Sequence, residues 1–492
     1  MERSRFQGSR WLRLDVVVLS VVVAVAAFVR LVGLDLMEFK ADEANVCALA
    51  LHALGYTQPG VGKFFPTEGI LSSVGIPNPP LFVYLVALPL AVVRSPIAAA
   101  AFIAATNVFA VWLCYLVGTR YYSRFVGIAS AALFALSPWA IVFSRKIWSQ
   151  NMLPMFSGLF LLALRAFLVE RRSRAVFWLI VLVAGATQLH ASAWILVPIL
   201  LAALVIGRDA IDWRWLCLGL TAAVALYAPF LIFHGEAAYD AAQKAGGHAG
   251  TALDRFEKAA RLTVAIPGGD KMSVLLGSQS ALAHPLSLVL GTAAFVGLLL
   301  GFRQWRASRL GSARALLAVW YVLPVVMLTA LQTPSYIHYF VILFPLPFLG
   351  IALVLEQFCR RRALAGWLAL AGCLCCFAYL DGRFFQTIFD HGGAPGEYGV
   401  GYRYVEDAAA MIARENPGRS FELGKDADFD PGGTTRPFSF LVWNRHPDAP
   451  APSGAPAVGY VVVNTLTGTG PPNASSYPTK RFGPLEVITI PK

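Results

Sequence analysis

Two carboxylates stand side by side at Asp42 and Glu43, in the stretch Glu38-Phe39-Lys40-Ala41-Asp42-Glu43-Ala44-Asn45. Placed just beyond an apolar segment, such a pair suits general-base work, because a membrane surface and neighbouring helices strip water from one acid and raise its basicity. Successive helical residues point about 100° apart, so one of the two faces a site. The pair would equally suit the first turn of a surface helix, where acids favour the positive end of the dipole. A second constellation is Arg145-Lys146, flanked by Trp139 and Trp148. Cations at headgroup depth meet phosphate well, Arg in a bidentate way; the alternative is snorkelling within an aromatic belt. Tyr336, His338 and Tyr339 form a third group, able to hydrogen-bond a phosphate or a sugar, or to anchor a helix at the membrane boundary. His190 closes an apolar run on the same side, as a structural histidine or a site residue. His234, His248 and His284 lack HxxxH-type spacing, so no metal site is signalled. Asn473-Ala474-Ser475 matches a glycosylation sequon.

The elements that must position these groups are membrane helices. The chain has 492 residues, 57% apolar and 14% charged, with a mean hydropathy of +0.62. A soluble protein carries about 25% charged residues, so a soluble enzyme or a disordered chain is excluded and a polytopic membrane protein remains. The net charge of +12, from 40 Lys and Arg against 28 Asp and Glu, lies mostly in short Arg tracts between apolar runs. That arrangement orients a membrane protein and does not point to nucleic acid. Six of the seven cysteines lie in or beside apolar runs and Cys47 falls in an expected loop, so no disulfide framework is signalled.

Eleven runs have the length of a span: 14–34, 96–118, 125–143, 152–169, 175–190, 192–207, 213–233, 285–302, 313–331, 337–357 and 363–380. A twelfth, 79–93, opens with Pro79-Pro80 and contains Pro89. If it does not cross, the tracts at Arg120/Arg124, Arg171/Arg172/Arg174, Arg208/Arg214, Arg303/Arg306/Arg309 and Arg360/Arg361/Arg362 share the side of the basic N-terminus; if it crosses, all flip outward, against the positive-inside rule. We therefore expect 79–93 to be interfacial or re-entrant, with the N-terminus cytoplasmic and the C-terminus outside. The expected architecture is an all-α bundle over 1–381, with large outer loops at 35–95 and 234–284, followed by a small soluble α/β domain over 382–492. In that domain 406–414 reads as a helix, and 461–464 and 485–490 as strands.

These features together resemble the GT-C-fold glycosyltransferases that use lipid-linked sugars, above all the protein O-mannosyltransferase group (family 39) and its bacterial relatives, the aminoarabinose and galacturonic acid transferases of lipopolysaccharide. The resemblance covers about residues 10–360. It rests on Asp42-Glu43 after the first span, on Pro79-Pro80-Leu81, on Ser137-Pro138 with Ser144-Arg145, and on the aromatic start of a late span at Tyr336–Pro345. It implies a sugar donor on polyprenyl phosphate, used outside the cytoplasm of a bacterial inner membrane, with a lipid, protein or glycan as acceptor. Asp42 becomes the catalytic carboxylate, Glu43 its neighbour, and Arg145 a donor-phosphate or loop contact. Lys146, Tyr336, His338 and Tyr339 join the donor-phosphate side, and Asn78 and His190 the acceptor side or the loop. Asn45 and Asn78 stand where aminoarabinose transferases carry basic residues. The resemblance requires no cofactor and leaves a divalent cation open. Two rival readings are a transporter or flippase for a lipid-linked glycan, and a non-catalytic subunit of a glycosylation complex.

Overall fold

The computed structural model describes residues 2–491, except 59–60, 73–74, 76, 245–249, 279, 304, 333–334, 418–420, 426–434, 446–457 and 467–475. His248 and the sequon at Asn473 therefore lie outside the described residues. The chain opens with α1 (Glu2–Leu31), α2 (Ala41–Ala53), α3 (Leu81–Val92), α4 (Pro96–Tyr121), α5 (Arg124–Leu136) and α6 (Pro138–Ser144). It continues through α7 (Leu153–Leu168), α8 (Ala175–Leu189), α9 (Leu196–Ile206), α10 (Trp213–Lys244), α11 (Ala252–Gly268) and α12 (Ser273–Leu276). The bundle closes with α13 (Ala283–Phe302), α14 (Arg309–Ala330), α15 (Leu346–Arg361) and α16 (Ala363–His391).

The punctuation is local. Ser95 caps α4, accepting from Ile97 N, with Pro96 at the first helical position, where its missing N–H costs nothing. Ser123 caps α5 in the same way. Ser137-Pro138 bends the chain by 61° between α5 and α6, and a second 61° bend separates the 3-10 turn Ile337–Leu343 from α15. Small residues let helices approach closely: a Cβ on Gly297 of α13 would overlap the carbonyl of Gly350 on α15.

The expected apolar runs fall on helices, with 125–143 and 337–357 each broken by one of the 61° bends. Among the described residues, six helices are long and apolar enough to cross a bilayer, or eight if each bent pair is one span. This is a multi-pass membrane protein. By length, α3 groups with α8 and α9 among the shorter apolar helices; geometry sets it apart. Asn78, just before α3, lines a cavity with Asp42. Just after α3, the carbonyl of Arg94 accepts from Asn444 of the tail at 3.1 Å. Both ends of α3 therefore meet the tail side of the bundle. The Arg tracts gather at the other end, where Arg165 donates to the Arg120 carbonyl (2.9 Å), Arg314 to that of Tyr121 (2.8 Å), and Arg171 and Arg309 share Asp209.

Beyond α16 come the short β1 (Gly393–Ala394) and β2 (Gly399–Val400), then α17 (Tyr402–Glu415), β3 (Glu422–Lys425), α18 (Thr435–Arg445), β4 (Val458–Asn464), β5 (Thr479–Phe482) and β6 (Leu485–Pro491). The sheet order is β3-β4-β6-β5, with β3 parallel to β4 and the other pairs antiparallel. The helix and both strands read from the sequence of this tail are present as α17, β4 and β6. The change of composition at 382 falls inside α16, which runs unbroken to His391. Cys47, expected in a loop, is buried in α2.

Candidate active site

The loop between α1 and α2 carries the acid pair, and its shape is set by two neighbours. Gly33, at φ +55°, ends α1 in a conformation that favours glycine. The guanidinium of Arg145 then closes the helix: Nη1 donates to the carbonyls of Arg30 (3.1 Å) and Val32 (2.7 Å), and Nη2 to that of Gly33 (2.7 Å). Arg145 is 1% exposed and its charge lies over the Phe385 ring. Of the two roles expected for Arg145, the geometry displays the loop contact: its two terminal nitrogens engage carbonyl groups that would otherwise be orphaned.

The other neighbour is the tail. Tyr402 N donates to Met37 O (2.9 Å) and the Tyr398 hydroxyl to Leu36 O (2.7 Å). Glu38 pairs with Gly401 as an isolated bridge, Arg403 with Asp35, and Lys40 Nζ with the Glu397 carbonyl. Further along, Arg436 of α18 donates to Asn45 (3.1 Å) and Trp443 to Thr57 O (3.1 Å). The extramembrane tail therefore grips the acid-bearing loop along its length.

On that loop the two acids diverge, as helical geometry requires. Glu43 turns inward, 1% exposed, and its Oε2 accepts from Lys40 N at 2.9 Å in a capping box. Burial, and then the nearby Glu38, push its carboxyl up to about 7, with Lys146 opposing. Asp42 turns outward and lines a cavity of about 260 Å³. Glu38, unassigned from the sequence, is buried between two cations, 2.5 Å from Lys146 Nζ and 3.1 Å from Lys40 Nζ. Lys146 also lies 3.6 Å from the centre of the Trp148 ring.

Two cavities meet here. The smaller contains Asp42, Asn78, Ser149, Gln150 and His190. The larger, about 610 Å³, has an apolar side of Trp139, Phe143, Leu262 and Leu275, and a charged side of Lys146, Lys258, Arg261 and Lys271 facing Asp254, Glu257 and Glu397. Trp148 and His338 line both. Tyr336 belongs to the larger cavity; Tyr339 is buried behind it, its ring 4.8 Å from that of His338 and 5.2 Å from that of His190. Asp42, Asn78, Lys146, His190, Tyr336 and His338 line one or both cavities and Tyr339 lies one ring behind, whereas Glu43 turns into its capping box and Arg145 holds the loop from beneath.

Sequence reasoning missed Lys258, Arg261 and Lys271. Lys258 and Arg261 are three residues apart on α11, a spacing that shares one face, and this signal was available in the sequence. Lys271 has none: it is positioned by a left-handed turn, Gly269 at φ +79° and Lys271 itself at +68°. Asp270 pins that turn by accepting from Lys271 N (2.8 Å) and contacting His284 (2.9 Å), while its carbonyl accepts from Trp139 (2.8 Å). Among the described residues, neither Lys258 nor Lys271 has a carboxylate ion-pair partner, and no three His, Cys, Asp or Glu side chains converge on a metal-sized point.

A helical membrane bundle with juxtamembrane helices on one end, two cavities at that end and a small α/β tail folded over them is the GT-C fold. Among solved structures it is similar to ArnT from Cupriavidus metallidurans in the apo state, with a TM-score of 0.59 at 13% identity, covering 98% of each chain. It is similar to the same protein bound to undecaprenyl phosphate, with a TM-score of 0.56 at 14% identity and the same coverage. A weaker match, TM-score 0.48 at 17% identity, is the Archaeoglobus fulgidus oligosaccharyltransferase in complex with Zn and sulfate; it covers 81% of this chain, which spans 55% of that one. No family model and no curated protein matches the sequence. At these identities the likeness establishes the fold.

Proposed function

We propose that the chain is a membrane glycosyltransferase that moves a sugar from polyprenyl phosphate to an acceptor hydroxyl on the extracytoplasmic face of a bacterial inner membrane. The carrying observation is the junction: a cavity with an apolar side and two lysines lacking a carboxylate partner opens, past Trp148 and His338, on a second cavity holding Asp42. The prenyl chain lies against the apolar side and the phosphate between Lys258 and Lys271, with Lys146 and Tyr336 nearby. That ArnT binds undecaprenyl phosphate supports a polyprenyl-phosphate ligand. The sugar then points past His338 towards Asp42. Asp42 takes the proton from the acceptor hydroxyl, the freed oxygen attacks the anomeric carbon, and the bond from that carbon to the phosphate oxygen breaks, with inversion. Polyprenyl phosphate leaves with the bonding electrons, and the lysines stabilise its gathering charge.

Glu43 is a poor candidate for the base because its carboxylate is turned into the capping box. Asn78 and His190 belong to the acceptor side. A divalent cation would find Asp42 as the one carboxylate of its cavity, with waters and phosphate completing its shell; comparing transfer in EDTA with transfer in Mg²⁺ or Mn²⁺ settles the requirement. The orientation is supported by the Arg tracts at one end and both ends of α3 at the other. Reporter tags at Arg120 and Arg172 should be unreachable from outside intact cells; labelling there would place the cations and Asp42 in the wrong compartments.

The test is transfer of radiolabelled sugar from a synthetic polyprenyl-phosphate donor into cell-envelope extract by the purified protein. Label leaving the lipid in an Asp42-dependent way supports the enzyme. Label that stays on the lipid, with the donor bound or flipped intact, favours a transporter; label that moves only when another protein is added favours a non-catalytic subunit.

A further inference from the structure

The two cavities differ more in chemistry than in size, and the difference names a class of sugar. Among the described residues lining the smaller cavity, Asp42 is the single carboxylate and no Lys or Arg is present; the polar remainder is amide, hydroxyl, imidazole and indole from Asn78, Gln150, Ser72, Ser149, His190, His338 and Trp148. His190 is neutral there, because its Nδ1 accepts from Ser192 N at 3.1 Å, which a protonated Nδ1 cannot do. Its ring proton is therefore on Nε2, and the ring is a donor. Trp148 lines both cavities, and among the described residues its buried Nε1 has no hydrogen-bond partner.

Building on the glycosyltransferase reading, we propose that this cavity selects an uncharged, hydroxyl-rich sugar and rejects sugars that carry a carboxylate or an ammonium group. A uronic acid would place a second carboxylate beside Asp42 with no cation in the lining to pair it, a desolvated like-charge contact. An amino sugar would pair with Asp42, lower its basicity and hold it off the acceptor proton. Hydroxyl groups both donate and accept, which matches a lining of amides, hydroxyls and a neutral imidazole and adds no charge beside Asp42. Rejection by an unpaired or mispaired charge discriminates more sharply than a difference of shape.

The experiment presents the full-length protein in lipid nanodiscs with three synthetic polyprenyl phosphates, carrying a neutral hexose, a 4-amino pentose or a hexuronic acid, and reads transfer of label into envelope extract. We expect the neutral donor to exceed both charged donors by about tenfold or more in kcat/KM. Equal or faster transfer of either charged sugar overturns the selectivity while leaving the glycosyltransferase intact. No transfer from any of the three, with no binding of plain polyprenyl phosphate, overturns both. Gln150→Glu adds a second carboxylate that can pair an ammonium and release Asp42. It should raise the ratio of amino-sugar to neutral-sugar transfer about tenfold; an unchanged ratio in folded protein contradicts the proposal, and the wild-type comparison decides should the variant not fold.

Discussion

The larger cavity is amphipathic and carries four cations; the smaller is polar and carries one acid. They share only Trp148 and His338. That division separates two tasks that a lipid-dependent transferase must keep apart: holding a water-insoluble donor by its phosphate, and activating a hydroxyl next to it. A cation within the Asp42 cavity would depress the basicity that the proposed reaction uses.

The sharpest way to break the division is at Asp42. Asp42→Asn should cost about 10²–10⁴-fold in transfer, as loss of a general base does, while binding of polyprenyl phosphate to the larger cavity and the melting temperature stay as in the wild type. Removing both lysines, Lys258→Ala with Lys271→Ala, should do the converse: the donor concentration for half-maximal rate rises about tenfold or more, with a smaller loss in rate at saturation. An unchanged donor titration would place the phosphate elsewhere. Arg145→Ala tests the claim that Arg145 serves neither cavity directly. Three carbonyls at the end of α1 lose their donor, so thermal stability should fall by about 1–3 kcal/mol and the donor titration of the surviving protein should stay put. A raised donor requirement with unchanged stability would restore Arg145 to the phosphate.

The smallest effect expected is a pH effect at Glu43. Its carboxyl is raised from the ordinary range to about 7, mainly by burial, so the folded state holds a proton that the unfolded chain releases near pH 4.5. The stability Glu43 contributes is present below the unfolded value and is lost as pH rises towards 7. Glu43→Gln, which keeps an oxygen for Lys40 N, should flatten the melting temperature between pH 5 and 7; a wild-type slope in the variant would assign that slope to other groups.

Some of this was legible in the sequence. Asp42 stands out because an acid pair just after an apolar run suits general-base work, and the 100° step between neighbours said that the two would part; its role as base is part of the proposal. The non-crossing placement expected for α3 came from the charge tracts, whose energetics act on the whole chain and so are visible without contacts. The sequence left Arg145 between the phosphate and the loop because its partners, the carbonyls of Arg30, Val32 and Gly33, lie more than a hundred residues earlier, and sequence shows a cation without showing what engages it. Lys146 and Glu38 illustrate the same limit: their ion pair joins two turns brought together by packing. Lys271 depends on a left-handed backbone turn pinned by the adjacent Asp270, which in turn meets His284 and Trp139, and no local pattern connects those two partners to the turn. The tail was expected as a domain from its composition, but its contacts with residues 35–45, such as Tyr402 N to Met37 O and Arg403 to Asp35, join positions far apart in the chain and carry no local signature.

The most direct test of the two-cavity account is a structure of the protein with a polyprenyl-phosphate sugar bound. The account predicts phosphate density within hydrogen-bonding reach of Lys258 and Lys271, the prenyl chain against Trp139 and Leu262, and the sugar beyond His338 on the Asp42 side. Phosphate density beside Asp42, or at the end of the bundle where Arg120 and Arg314 lie, would contradict it.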